Sequence, residues 1–153
     1  MLFKDELHFL SNFYPAKIIY RGTSWPTTEH AFQAAKCKDG VEDENIRNAP
    51  SPSAAKRMGR RVECRHNWEE VKVDIMTEIV LLKFRQHTDL REKLLATVDP
   101  DSPLYHIELE EGNFWHDNFW GNCYCQKCYG IEGKNALGII LMEVRELLRE
   151  EEK

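Results

Sequence analysis

The stretch Thr27-Thr28-Glu29-His30-Ala31-Phe32-Gln33-Ala34-Ala35-Lys36 gathers an acid, an amide and an amine within one short run. At helical spacing Glu29, Gln33 and Lys36 share a face, as i, i+4 and i+7. Ala31, Ala34 and Ala35 fall on the other faces and allow close helix packing. A lysine that is partly desolvated can supply a neutral amine, which attacks a sugar carbon and forms a Schiff base. Glu29 could move the proton. By spacing alone, however, the stripe reads first as a solvated face with an ordinary Glu-to-Lys pattern. His30, a lone histidine on a helix, reads first as a hydrogen-bonded structural residue.

A second group runs from Glu110 to Asn122. Phe114, Trp115, Phe119 and Trp120 lie within seven residues, interleaved with His116, Asp117 and Asn118. A flat apolar wall carrying a few polar groups suits a base or nucleoside, and core completion is the competing use of the same aromatics. Glu111 and Asp117 are the carboxylates placed to protonate a leaving base or orient a ribose. A third group, Lys56, Arg57, Arg60, Arg61 and Arg65, puts five cations in ten residues. Such a cluster can grip phosphate, and it also describes a solvated surface.

Cys123, Cys125 and Cys128 are three thiols in six residues. A structural zinc, with Cys64 or His116 as fourth ligand, is one reading. Only one cysteine cluster is visible where paired clusters are usual, so metal-free reduced cysteines are preferred and no metal ligand is assigned. No cofactor is required. Gly130, Gly133 and Gly138 precede or open a helix and could expose amides to an anion. The Gly-Lys-Ser/Thr ending of a P-loop is absent, so these glycines read as turn material.

The elements that must position these groups follow from caps and periodicity. Ala16 to Tyr20 is a β-rich run, followed by a turn at Arg21-Gly22-Thr23. Thr27 caps a helix from Thr28 to about Lys38. Asp39 to Pro50 is loop or a short helix. Ser51-Pro52 starts a helix that ends near Gly59. Asn67-Trp68-Glu69-Glu70 resembles a capping box that opens a helix to Gln86, with Val71, Ile75, Ile79 and Leu82 as its apolar stripe. Leu90 to Thr97 is a helix and Tyr105 to Leu109 a strand. Phe114 to Gly133 is loop. Lys134 to Glu150 is a final helix burying Leu137, Ile140, Leu141, Val144, Leu147 and Leu148. The expected fold is α+β, a predominantly helical single domain over residues 1–153 with a few short strands.

Length and composition bound the rest. The 153 residues suffice for one core without staples. The apolar runs are too short to span a bilayer, and Met1 to Leu10 is too charged for a signal peptide. The expected address is therefore cytoplasmic, with five reduced cysteines. The net charge of -5 argues against nonspecific coating of nucleic acid.

Several motifs in order resemble the NADAR family, also called the YbiA-like family. They are Phe9-Leu-Ser-Asn-Phe-Tyr-Pro15, Trp25-Pro-Thr-Thr-Glu-His-Ala-Phe-Gln-Ala-Ala-Lys36, Gly59-Arg60 and Arg65-His-Asn-Trp68. Lys72, Met76, Lys83-Phe84, Trp120-Gly121, Gly133 to Gly138, Leu141-Met142 and Arg145 continue the likeness. The resemblance implies an N-glycosidase acting on a ribosylated base. The substrate would be either a phosphoribosylamino-pyrimidine of riboflavin synthesis or an ADP-ribosylated guanine, free or in DNA. It implies Lys36 as a Schiff-base nucleophile, with Glu29, His30 and Gln33 at matching positions of the same helix; together with the reading of the residues, Glu29 or Glu111 is the expected proton shuttle. Asn12, Phe13, His30, Gln33, Arg60, Arg61, Trp115, Asp117, Trp120, Gly121 and Asn135 would bind substrate. A binding module for ADP-ribose or a nucleotide is the non-catalytic alternative. Neither a membrane nor a particular oligomeric state is implied. The chain departs from the family at Val98, where glycine would be, and at the Cys123 to Cys128 insertion.

Overall fold

A computed structural model describes residues 1–99 and 101–153, and for residues 99 and 102–106 only the backbone. The chain packs as two compact units, Ser11–His87 and Met1–Leu10 with Thr88–Lys153.

The Ser11–His87 unit begins with a hairpin, β1 (Ile18–Tyr20) against β2 (Thr23–Trp25). Its turn needs two consecutive residues of positive φ, which Arg21 (50°) and Gly22 (77°) supply. Then come α1 (Thr28–Lys36), α2 (Asp43–Arg47), α3 (Pro52–Gly59) and α4 (Trp68–Gln86). The expected caps at Thr27 and Ser51 form. Thr27 accepts from the His30 amide and Ser51 from the Ala54 amide. Helix α1 packs on α3 and α4, with the Phe32 and Trp68 rings 5.1 Å apart. Ile18, Trp25, Ile75, Met76, Ile79, Val80 and Phe84 are buried.

The other unit holds a 3-10 turn at Asp5–Leu10, α5 (Thr88–Leu95) and an antiparallel pair, β3 (Val98–Asp99) with β4 (Ser102–His106). A short parallel pair follows, β5 (Gly112–Asn113) with β6 (Asn122–Cys123). The unit ends in α6 (Ala136–Glu151). Leu90, Leu94, Leu109, Leu137, Ile140, Leu141, Val144 and Leu148 are buried. Arg145 is also buried, and its Nη1 donates to the Thr97 hydroxyl (2.8 Å) and the Ile107 carbonyl (2.9 Å). Burial holds its pKa below the ordinary arginine value.

Predominantly helical structure with short strands matches the expected class. Four local expectations change. Asn67 precedes α4 as read, but its side chain makes no capping hydrogen bond. Its φ of -99° and ψ of 18° are not the extended backbone that a capping side chain needs. Leu147 is 48% exposed, because the buried face of α6 turns through Val144, Arg145 and Leu148. The strand read over Tyr105 to Leu109 lies earlier, at Ser102–His106. Helix α1 stops at Lys36, where Cys37 turns extended and its backbone pairs antiparallel with that of Cys64, both thiols remaining free. No described helix is long and apolar enough to cross a membrane.

Candidate functional site

The start of α1 is held from three directions. The Asn12 carbonyl accepts from the Glu29 amide (3.2 Å). The Thr28 hydroxyl meets Asn12 Oδ1 at 2.9 Å, and Asn12 Nδ2 reaches Met76 Sδ at 3.4 Å. His30, 1% exposed, places Nε2 3.1 Å from the Ala49 carbonyl and Nδ1 2.8 Å from the Thr27 hydroxyl. A carbonyl only accepts, so Nε2 carries a hydrogen and donates it to Ala49. Nε2 thereby ties α1 to the segment after α2, while Nδ1 meets the helix's own N-cap.

On the next turn, Gln33 Nε2 donates to Glu29 Oε1 at 2.8 Å. Both side chains are buried, at 6% and 7% exposure. The solvated reading of this stripe is therefore overturned: the face is packed, and Gly59 of α3 lies against it. A Cβ on Gly59 would overlap the Gln33 side chain. Gln33 Oε1 is buried without a hydrogen-bond partner among the described residues. Lys36 closes the stripe half-buried, and its ammonium takes no hydrogen bond among the described residues. Cys37 beside it is inert: burial, then the Asp43 and Glu42 carboxylates, push its thiol up to about 11.

Sequence reasoning missed the role of Lys83, which was noted only as part of a motif. Its side chain is 1% exposed in the last turn of α4. Its ammonium donates to the Ser11 carbonyl at 2.9 Å and lies 5.6 Å from the centre of the Tyr14 ring. Desolvation lowers its pKa to about 7. It pins the segment that carries Asn12 and Phe13. Half-buried Phe13 lies 5.9 Å below the Lys56 ammonium. Arg60 and Arg61 are exposed at the end of α3, free of any carboxylate partner among the described residues. Arg61 borders a cleft of about 470 Å³ that Cys37, Met58 and Glu63 also line.

In the other unit, Asn135 holds the backbone at Leu109 and Glu111. Its Nδ2 donates to the Leu109 carbonyl (3.0 Å) and its Oδ1 accepts from the Glu111 amide (2.9 Å). Asn135 itself sits at φ 49°. Gly121 passes so close to the Glu111 carbonyl that a Cβ would collide with it. Asp117 Oδ1 accepts from the Phe119 and Trp120 amides, at 3.1 and 2.8 Å. This carboxylate therefore shapes the aromatic loop. Phe119 and Trp120 meet edge to face at 4.7 Å, while Trp115 is 56% exposed.

The Cys123–Cys128 segment folds back on this loop. Ligand atoms of His116, Cys123, Cys125 and Cys128 all lie within 4.8 Å of one another. His116, read only as one option for a fourth ligand, is the group that joins the three thiols. Burial raises the Cys123 thiol, but hydrogen bonds led by the Cys125 amide bring it down to about 7.

Comparison with known proteins agrees with this architecture. The chain is 42% identical over 146 residues to N-glycosidase YbiA of Escherichia coli K12, covering 94% of this chain and 83% of that protein. It is 41% identical over 151 residues to riboflavin biosynthesis protein VVA0006 of Vibrio vulnificus, covering 95% of this chain and 37% of that one. The solved structure of E. coli YbiA superposes with a TM-score of 0.81 at 40% identity, over 99% of this chain and 84% of that one. The NADAR domain model matches residues 2–149, and the chain belongs to the NADAR domain family.

Proposed function

We propose that this protein is an N-glycosidase that hydrolyses the bond between a ribose and a nucleobase through a covalent adduct on Lys36. The buried Glu29–Gln33 hydrogen bond, one turn from the half-buried amine, is the observation that carries the reading. An acid and an amide are expensive to bury, and Gln33 Oε1 is left without a hydrogen-bond partner among the described residues.

Lys36 Nζ adds to the anomeric carbon of the ring-opened sugar, where that carbon is doubly bonded to the base nitrogen, and the remaining single bond from that carbon to the base nitrogen then breaks as the Lys36 nitrogen takes over the double bond. Glu29 delivers the proton that the departing base needs. Loss of the amine proton leaves an imine, and water then adds to the same carbon and releases Lys36. Seven residues of helix separate Glu29 and Lys36 by about 10.5 Å along the axis. Lysine side chains on helices lean toward the N-terminus, which shortens that span. Arg60 or Arg61 holds phosphate, and Asn12, Phe13, His30 and Gln33 shape and brace the substrate-binding segments. No cofactor enters the reaction. The substrate is a small ribosylated base met in the cytoplasm.

The name of the Vibrio relative favours a phosphoribosylamino-pyrimidine. ADP-ribosylated guanine is the other substrate to test. Base release is followed with each, in wild type and Lys36→Ala. The expected result is turnover of one substrate by wild type, none by the variant, and a borohydride-trapped sugar adduct on Lys36. Unchanged turnover by Lys36→Ala overturns the covalent scheme. Tight binding of the nucleotide without base release by wild type establishes the binding module instead.

A further inference from the structure

We propose that His116, Cys123, Cys125 and Cys128 form a closed tetrahedral zinc site that fixes the loop between β5 and α6. The distances fit such a centre. His116 Nδ1 lies 3.2 Å from Cys125 Sγ, 3.5 Å from Cys128 Sγ and 3.9 Å from Cys123 Sγ. Zinc bonds of about 2.3 Å to sulfur and about 2.0–2.1 Å to nitrogen give a nitrogen–sulfur edge of about 3.6 Å in a regular tetrahedron. The three observed edges bracket that value, and no pair among the four ligand atoms exceeds 4.8 Å.

The surroundings are those of a ligand shell. Three thiolates and one imidazole leave zinc with one excess negative charge. Backbone and amide N–H groups point at the sulfurs to spread it. The His116 and Cys125 amides reach Cys123 Sγ at 3.3 and 3.5 Å, and Asn118 Nδ2 reaches Cys128 Sγ at 3.4 Å. Asn118 also accepts from the Cys123 amide through Oδ1 (2.9 Å), so one side chain braces two ligands. A 3-10 turn at Gln126–Cys128 brings Cys125 and Cys128 to the same side. His116 adopts φ 69°, unusual for a non-glycine residue, and in that conformation its ring faces the sulfurs.

The donor set also selects the metal. Three soft thiolates with one imidazole suit zinc rather than magnesium, calcium or manganese. Four protein ligands leave no open position for substrate or water, so the site is structural. Short loops of this kind bury little apolar surface, and metal binding is a common substitute for a core. The inference is independent of the glycosidase reading.

The test is metal content by elemental analysis after purification without chelator, followed by cobalt exchange. About one zinc per chain is expected, together with the intense visible bands of thiolate-bound tetrahedral cobalt. Cys125→Ser and His116→Ala should lose the metal. Cys64→Ser should keep it, and His116→Cys should keep it with a shifted cobalt spectrum. If Cys125→Ser or His116→Ala does not fold, wild type stripped by chelator is titrated with zinc alone and must take up one equivalent. Absence of zinc together with failure of the reduced stripped protein to bind zinc or cobalt overturns the proposal. So does a full zinc complement in folded Cys125→Ser or His116→Ala.

Discussion

Lys83 and Ser11 lie 72 residues apart in the chain, yet the lysine ammonium donates to the serine carbonyl at 2.9 Å inside a nearly solvent-free pocket. The contact sets the height of the segment that frames α1. It also buries a group that prefers water when charged.

That burial predicts a pH-dependent stability. Below about pH 7 the amine is protonated in both native and unfolded chains, and the cost of the buried charge is fully present. Above it the native chain gives up a proton that the unfolded chain keeps toward 10.5. Stability therefore rises with pH across this window, by at most about 1.4 kcal/mol per pH unit. Lys83→Met should remove the rise while leaving the Ser11 carbonyl unpaired. Urea unfolding of both proteins at a series of pH values between about 7 and 9.5 checks this; equal slopes would refute it.

Glu29→Gln separates charge from packing. The substitution keeps the volume and a group that can meet Gln33, so the melting temperature should hold within a few degrees. If Glu29 moves a proton in the reaction, kcat should fall by about 10²–10⁴-fold. Single-turnover base release, read beside thermal unfolding, distinguishes the two effects. Undiminished kcat removes Glu29 from the chemistry.

Asn135 offers a test of conformation against hydrogen bonding. Its φ of 49° costs most side chains about 1–2 kcal/mol, and glycine avoids that cost. Both Asn135→Gly and Asn135→Ala lose the bonds to Leu109 and Glu111. Asn135→Gly should therefore be the more stable of the two by about 1 kcal/mol, and both should lie below wild type. Chemical denaturation reports the order.

What was legible in the sequence was local. Thr27 and Ser51 capped the helices they preceded because a cap is satisfied within three residues. The Arg21-Gly22 turn followed from the same kind of evidence. Asn67 gave the right boundary for the wrong reason, since its dihedrals do not permit the expected capping bond. The acid–amide stripe was visible as a spacing, but its burial depended on Gly59, and nothing near α1 predicts where that glycine comes to rest. Lys83 looked like any helix cation because its partners, Ser11 and Tyr14, belong to another part of the chain. His116 was one of two options for a fourth ligand, and only the fold of the Cys123–Cys128 segment chose between them.

Gly59 has a further consequence. The missing methyl that seats the Gln33 amide belongs to the residue directly before Arg60 and Arg61. Any change that pushes α3 away from α1 moves the two guanidinium groups as it moves the amide. The acid–amide stripe and the exposed cations therefore behave as one geared part. If Arg60 and Arg61 hold the anionic tail of a ligand, as proposed, selection for a longer or shorter tail is felt at Glu29 without a single substitution in α1.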